Sequence, residues 1–222
     1  MSFQDSSRIN GDLAGGGDVP ADEVGFGREP TGMRHSLDAA SHCYPQSDRG
    51  ARFRSVLDGL RGLLGPRRVV YVSAPINGGP AIAAARGRLS VAPPTDLVDT
   101  NVTAARALVA RLREHTRQEV FDPTCFSRYP RWTQDDYVEL CVEVLEEFAS
   151  SVVLADGWEY SRGCLAEFTK AVQIGLPCFD QAGRTVTEHA ASVRIELAVG
   201  CLDESDPLAC YQRGALSALA SL

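Results

Sequence analysis

Apolar positions in this chain alternate between two spacings, and the alternation predicts most of the secondary structure. Phe53, Val56, Leu57, Leu60 and Leu64 recur three and four apart, the period of one helix face, until Gly65-Pro66 stops them. Arg68-Val69-Val70-Tyr71-Val72-Ser73 is instead a run of β-branched and aromatic residues that breaks into Ala74-Pro75-Ile76-Asn77-Gly78-Gly79-Pro80. It reads as a buried strand and its turn. After a loop holding Pro93-Pro94, helical spacing returns from Asn101 to Arg113 through Ala105, Leu108, Val109 and Leu112. Glu119-Val120-Phe121-Asp122-Pro123 is a second short strand, ended by its proline. Tyr137, Cys141, Val144, Leu145 and Phe148 mark a helix from Thr133 to Ala149, with Thr133 as N-cap and Asp135 and Asp136 favourable in its first turn. A strand over Ser151 to Ala155, a helix from about Ser161 to Ile174 and a strand near Pro177-Cys178-Phe179 follow. Apolar residues within 190–199 and 208–222 predict one or two covering helices.

This β-α alternation implies a parallel sheet with helices on both faces. The expected organisation is one α/β domain over residues 67–222, preceded by an amphipathic helix at 49–66 that docks on its edge. Residues 1 to about 48, rich in Gly, Ser and Asp and including Gly15-Gly16-Gly17, are expected to be a disordered extension. Hydrophobic residues make up 44% of the 222, enough for a real core, and the formal charge of -7 argues against a nucleic-acid polymer as the main ligand. Small phosphorylated metabolites need only a local anion site and stay open. The start of the chain has no basic region followed by an apolar core, and no run approaches the ~18 apolar residues of a membrane span. A cytoplasmic protein with no membrane partner is expected. Seven scattered cysteines and four histidines show no metal-ligand spacing, so a zinc site is not expected. No other metal and no cofactor is expected either. Cys141, Cys164 and Cys178 read as buried reduced thiols.

Candidate chemistry gathers where the apolar run Ser151-Val152-Val153-Leu154 gives way to Ala155-Asp156-Gly157-Trp158-Glu159-Tyr160-Ser161-Arg162-Gly163-Cys164-Leu165-Ala166-Glu167. A strand that ends in a polar, glycine-bearing loop and opens into a helix lies on the rim where open α/β sheets bind ligands. Gly163 and Cys164 one turn before Glu167 and Ala171 one turn after leave room for a ligand, so this carboxylate reads either as a nucleophile or base, or as a surface residue paired with Lys170. Ser161 is a natural N-cap whose hydroxyl and following N–H groups can also hold a phosphate or a ribose hydroxyl. Trp158 either stacks on a nucleobase or covers the strand end, and Asp156 either binds a hydroxyl or holds the loop. Tyr71 and the turn from Ser73 to Gly79 end the first strand on the same rim, where Asn77-Gly78-Gly79 can turn N–H groups toward an anion or form an ordinary loop. Glu139, Glu143, Glu146 and Glu147 mark a solvated helix face, unless one of them points along the helix to the rim.

These pieces in this order resemble the nucleoside 2-deoxyribosyltransferase-like superfamily, which includes the deoxynucleoside 5'-monophosphate N-glycosidases. The resemblance covers roughly residues 68 to 180. It rests mainly on Gly157-Trp158-Glu159-x-Ser161-x-Gly163-x-x-x-Glu167-x-x-x-Ala171-x-x-x-Gly175-x-Pro177, with support from the Tyr71 strand, Asn101, Val120-Phe121-Asp122-Pro123, Trp132 and Tyr137. It implies a flavodoxin-like or Rossmann-like three-layer sandwich with a parallel sheet of about five strands. It further implies cleavage or transfer at the N-glycosidic bond of a nucleoside or nucleoside 5'-monophosphate through a glycosyl-enzyme on Glu167. Counting back from the motif, Glu143 falls at a position where the family often has an aspartate as second acid, with Asp135 and Asp136 as competitors, and Tyr71 joins the catalytic set. Ser73, Ala74, Ile76, Asn77, Gly78, Asp156, Trp158, Ser161 and Gly163 become the expected substrate contacts. Asn77 stands where some monophosphate-cleaving relatives carry arginine; Arg162 either supplies that charge or is plain surface. The expected partners are a small nucleoside or nucleotide and further copies of the chain in a homo-oligomer. The rival readings are a non-catalytic nucleotide sensor on the same fold and an interaction domain whose N-terminal extension is the functional part.

Overall fold

The computed structural model describes residues 46–86, 94–126 and 132–222. The extension expected at the N-terminus lies outside the described residues as far as residue 45, as does most of the loop before Pro94. The elements run α1 (Gln46–Leu64), β1 (Val69–Ser73), α2 (Pro80–Arg86), α3 (Thr95–His115), β2 (Glu119–Phe121), α4 (Gln134–Phe148), β3 (Ala149–Leu154), α5 (Arg162–Gln173), β4 (Cys178–Asp180), α6 (Glu188–Val199) and α7 (Pro207–Leu219). Single 3-10 turns cover Pro123–Phe126 and Trp158–Tyr160.

The four strands form one parallel sheet in the order β2-β1-β3-β4, an α/β architecture compatible with a three-layer flavodoxin-like sandwich. About five strands were expected, and four are present among the described residues. The apolar segments after β4 coil into α6 and α7, and Thr185 adds only an isolated antiparallel bridge to Phe179.

Handedness places the helices. A parallel crossover is right-handed, so a step to one side of the sheet puts its helix on one face and a step to the other side puts it on the opposite face. The chain steps from β1 to β2 through α3, then back past β1 to β3 through α4, and onward to β4 through α5. The packing agrees. Val70, Val72, Val120 and Val153 pack with Ala105, Leu108 and Val109 of α3, whereas Val69, Tyr71, Phe121, Val152 and Leu154 pack with α1, α4, α5, α6 and α7. All five residues of β1 are buried, as expected of a central strand covered on both faces.

Capping fixes where the key helices begin. Thr133 and Asp136 form a reciprocal capping box at α4, with Thr133 N to Asp136 Oδ2 at 2.7 Å and Asp136 N to Thr133 Oγ1 at 3.2 Å. Ser161 caps α5, accepting from the Cys164 N–H at 3.5 Å, and Asp206 caps α7 ahead of Pro207.

Candidate active site

The chain reverses direction across the sheet between β1 and β3, and the crevice beyond their carboxyl ends is where such sheets take ligands. Two loops meet there. The turn after β1 nests on the loop after β3, with Gly79 N donating to Tyr160 O at 3.1 Å. This approach needs glycine on both sides: a Cβ on Gly78 would stand 2.7 Å from Tyr160 O, and one on Gly157 2.6 Å from Pro80 Cδ. Gly157 also has φ +77, which L side chains rarely adopt. Asn101 of α3 fastens the same turn, donating to Ile76 O at 3.1 Å and Gly78 O at 2.8 Å.

Strand periodicity then builds the central contact of the site. Side chains alternate across a sheet, so Val70 and Val72 go to α3 while Tyr71 and Ser73 go to the face that carries α5. Glu167 of α5 meets them. The Tyr71 hydroxyl donates to Glu167 Oε1 at 2.9 Å and the Ser73 hydroxyl donates to Oε2 at 2.5 Å. Glu167 is only 6% exposed, and burial pushes its pKa up to about 7 while the Ser73 and Tyr71 donors pull it down. Burial, with Cys141 and Glu167 nearby, holds the Tyr71 hydroxyl well above its ordinary range, so it stays a donor. The surface pairing with Lys170 is not formed; Lys170 pairs with Glu146 at 3.0 Å.

Glu167 lines a cavity of about 950 Å³. Of the expected contacts, Ala74, Ile76, Asn77, Gly78, Ser161 and Gly163 line it too, and Tyr71 and Ser73 stand behind Glu167. No family model, curated protein or solved structure matches this chain. The site must therefore be read from its own groups.

Three expected residues are not brought to the cavity. Trp158 is fully buried, its ring 4.8 Å from that of Phe168 and beneath Arg194, so it covers the strand end and offers no face to a base. Asp156 is exposed and accepts from Gln181 Nε2, holding the loop. Glu143 lies on the wrong side of α4. Gln134, Tyr137, Val138 and Cys141 form the cavity face of that helix, and Glu143, two residues past Cys141, is rotated about 200° away. Its carboxyl is held above the ordinary value by partial burial and by Glu139, Glu146 and Glu147. The competitors are engaged elsewhere: Asp135 pairs with Arg162 at 2.6 Å and Asp136 closes the capping box.

Other residues line the cavity without having been singled out for it. Asp99, Val102 and Arg106 present one stripe of α3, and Pro207, Leu208 and Tyr211 of α7 close another side. Arg162, for which the sequence left open a charge for a phosphate or plain surface, lines the cavity, held between Asp135 and the Tyr211 ring, whose centroid is 4.3 Å from its guanidinium carbon. Asn77 bonds across the mouth to Gln134 Oε1 at 2.9 Å. Cys141 and Cys164 are buried free thiols in the wall; burial pushes the Cys164 pKa up to about 12 and also raises that of Cys141, so both are protonated and weak nucleophiles. Among the described residues no group of three or more His, Cys, Asp or Glu side chains is placed to hold a metal, and no helix is long and apolar enough to cross a membrane.

Proposed function

We propose that the protein cleaves or transfers the N-glycosidic bond of a nucleoside or nucleoside 5'-monophosphate, with Glu167 as the nucleophile. The observation that carries this reading is a single buried carboxylate, gripped by two hydroxyl donors, in the wall of a cavity large enough for a nucleotide. A fully solvated carboxylate is a poor nucleophile; one stripped of water and aimed by Tyr71 and Ser73 needs little reorganisation to reach an anomeric carbon. Ser161 and the first turn of α5 line the cavity and suit the sugar or its 5'-phosphate, since a helix N-terminus favours oxygen acceptors and anions. Similarity to the nucleoside 2-deoxyribosyltransferase-like superfamily supports the same assignment through Ser161, Gly163 and Glu167.

The test is release of free base from a panel of nucleosides and nucleoside monophosphates, followed by chromatography. Base release by the parent protein and none by Glu167→Gln is the expected result. Equal release by both would overturn the nucleophile. The second reading, a nucleotide sensor, draws on the placement of Glu143 away from the cavity; tight binding of one nucleotide with no release would favour it.

The pH profile carries a further expectation. Attack requires the ionised carboxylate, so for a substrate whose base departs without protonation kcat/KM rises with pH through about 7 as Glu167 loses its proton. Because the Tyr71 hydroxyl lowers the pKa of Glu167, Tyr71→Phe moves this rise to higher pH. A shift to lower pH would contradict the role given to that hydrogen bond.

A further inference from the structure

Expelling a nucleobase requires more than a nucleophile, because the departing nitrogen must take up a proton. Of the described residues lining the cavity, two carry carboxylates: Glu167 and Asp99. The other acids near the rim are committed. Asp135 is paired with Arg162, Asp136 with the α4 cap, Glu159 with Arg194, and Asp156 with Gln181. We propose that Asp99 of α3 is the proton donor to the departing base, a role that rests on Glu167 being the nucleophile.

The topology supports it independently of the count. Displacement at an anomeric carbon brings the nucleophile in on one side and sends the leaving group out on the other, so the acid must stand across the sugar from the nucleophile. Here α5 packs on one face of the sheet and α3 on the other. Glu167 and Asp99 thus reach the cavity from opposite layers of the sandwich. Asp99, Val102 and Arg106 follow the i, i+3, i+7 spacing of one helix face, and all three line the cavity. Val102 offers apolar surface to the flat base, and Arg106, whose Nε donates to Thr124 Oγ1 at 3.3 Å, ends the wall beyond β2.

In the step, a Glu167 oxygen bonds to the anomeric carbon while the carbon–nitrogen bond breaks. Its electron pair goes to the base nitrogen, and the Asp99 carboxyl gives that base its proton. Water then bonds to the anomeric carbon, the bond to Glu167 breaks to restore the carboxylate, and the Asp99 carboxylate takes the proton from that water. The sum is hydrolysis by one water, with both carboxyls returned to their starting states.

The test uses leaving groups that need no help. For whichever base the parent protein releases, kcat/KM is compared between the ordinary nucleoside and an activated analogue whose base departs without protonation, an N7-methylated purine or a 5-nitro-pyrimidine. Asp99→Asn is expected to lose roughly 10²–10⁴-fold on the ordinary substrate and less than about tenfold on the activated one. Glu167→Gln loses both. Full activity of Asp99→Asn on the ordinary substrate, or an equal loss on both, would overturn the role of Asp99 while leaving Glu167 in place. Activity of Glu167→Gln on either, or no release by the parent protein, would overturn the nucleophile and with it this role.

Discussion

Glu167→Gln is expected to make the protein more stable at pH 8, by about 3 kcal/mol, while removing its turnover. The carboxyl has its pKa raised from 4.5 to about 7 by burial. Below about 4.5 the group is neutral in both folded and unfolded chains, and its ionisation does not affect stability. As pH rises from there toward 7, the unfolded chain ionises while the folded one resists, so the parent protein loses stability; above about 7 the loss is complete. Glutamine has no charge to desolvate. The gap between variant and parent, measured by urea denaturation, should therefore be near zero at pH 4 and widen to its full value by pH 8. A variant less stable than the parent at pH 8 would mean that the Tyr71 and Ser73 hydrogen bonds outweigh the burial of the charge. A proposed nucleophile held at such a thermodynamic disadvantage would be a common exchange of stability for function.

Trp158→Ala is the other large effect, a loss of about 3–5 kcal/mol read as a lowered urea midpoint. The side chain is fully buried, packs on Phe168 and sits beneath Arg194. Its Nε1–H has no acceptor among the described residues, so Trp158→Phe removes an unsatisfied donor and should cost much less. The pair also separates packing from recognition. A tryptophan that stacked on a base would lose substrate affinity in both variants, whereas Trp158→Phe should leave KM at the parent value. A several-fold rise in KM with unchanged stability would return Trp158 to the binding site.

How far the sequence carried the site depended on the kind of signal. The strand-loop-helix from Val152 to Glu167 was legible because buried strands, glycine-bearing loops and N-caps are local patterns. The period-two alternation that sends Tyr71 and Ser73 to one face is just as local, although their meeting with Glu167, more than ninety residues on, is tertiary. Glu143 shows where counting along a helix fails: its place opposite the cavity is set by which face of α4 the sheet buries, through Leu140, Val144 and Phe148. Trp158 was ambiguous because an aromatic ring beside a glycine serves a ligand or a core equally well. The stripe of Asp99, Val102 and Arg106 had a readable spacing, but its neighbours Ala105, Leu108 and Val109 carried the stronger apolar pattern, and only the packing of α3 turns the polar stripe toward the cavity. The contribution of Tyr211 had no local signal, since α7 reaches the rim by folding back over α5 and α6. The count of about five strands came from the resemblance; the residue pattern itself marked four, and the late apolar runs, read as covering helices, form α6 and α7.

The fold and the proposed chemistry join at one carboxylate, that of Glu167. β1 places two hydroxyls at its carboxyl end, α5 lowers Glu167 onto them, and the reversal of the chain between β1 and β3 leaves the space into which that carboxylate can attack. A 2'-deoxy-2'-fluoroarabinosyl nucleoside tests this most directly, because fluorine slows breakdown of a glycosyl-enzyme and lets it accumulate. Mass spectrometry of the intact protein should show one added fluorosugar with base released in equal amount, and peptide mapping should place the sugar on Glu167. Base release with no adduct, or an adduct on any other residue, would contradict Glu167 as the nucleophile.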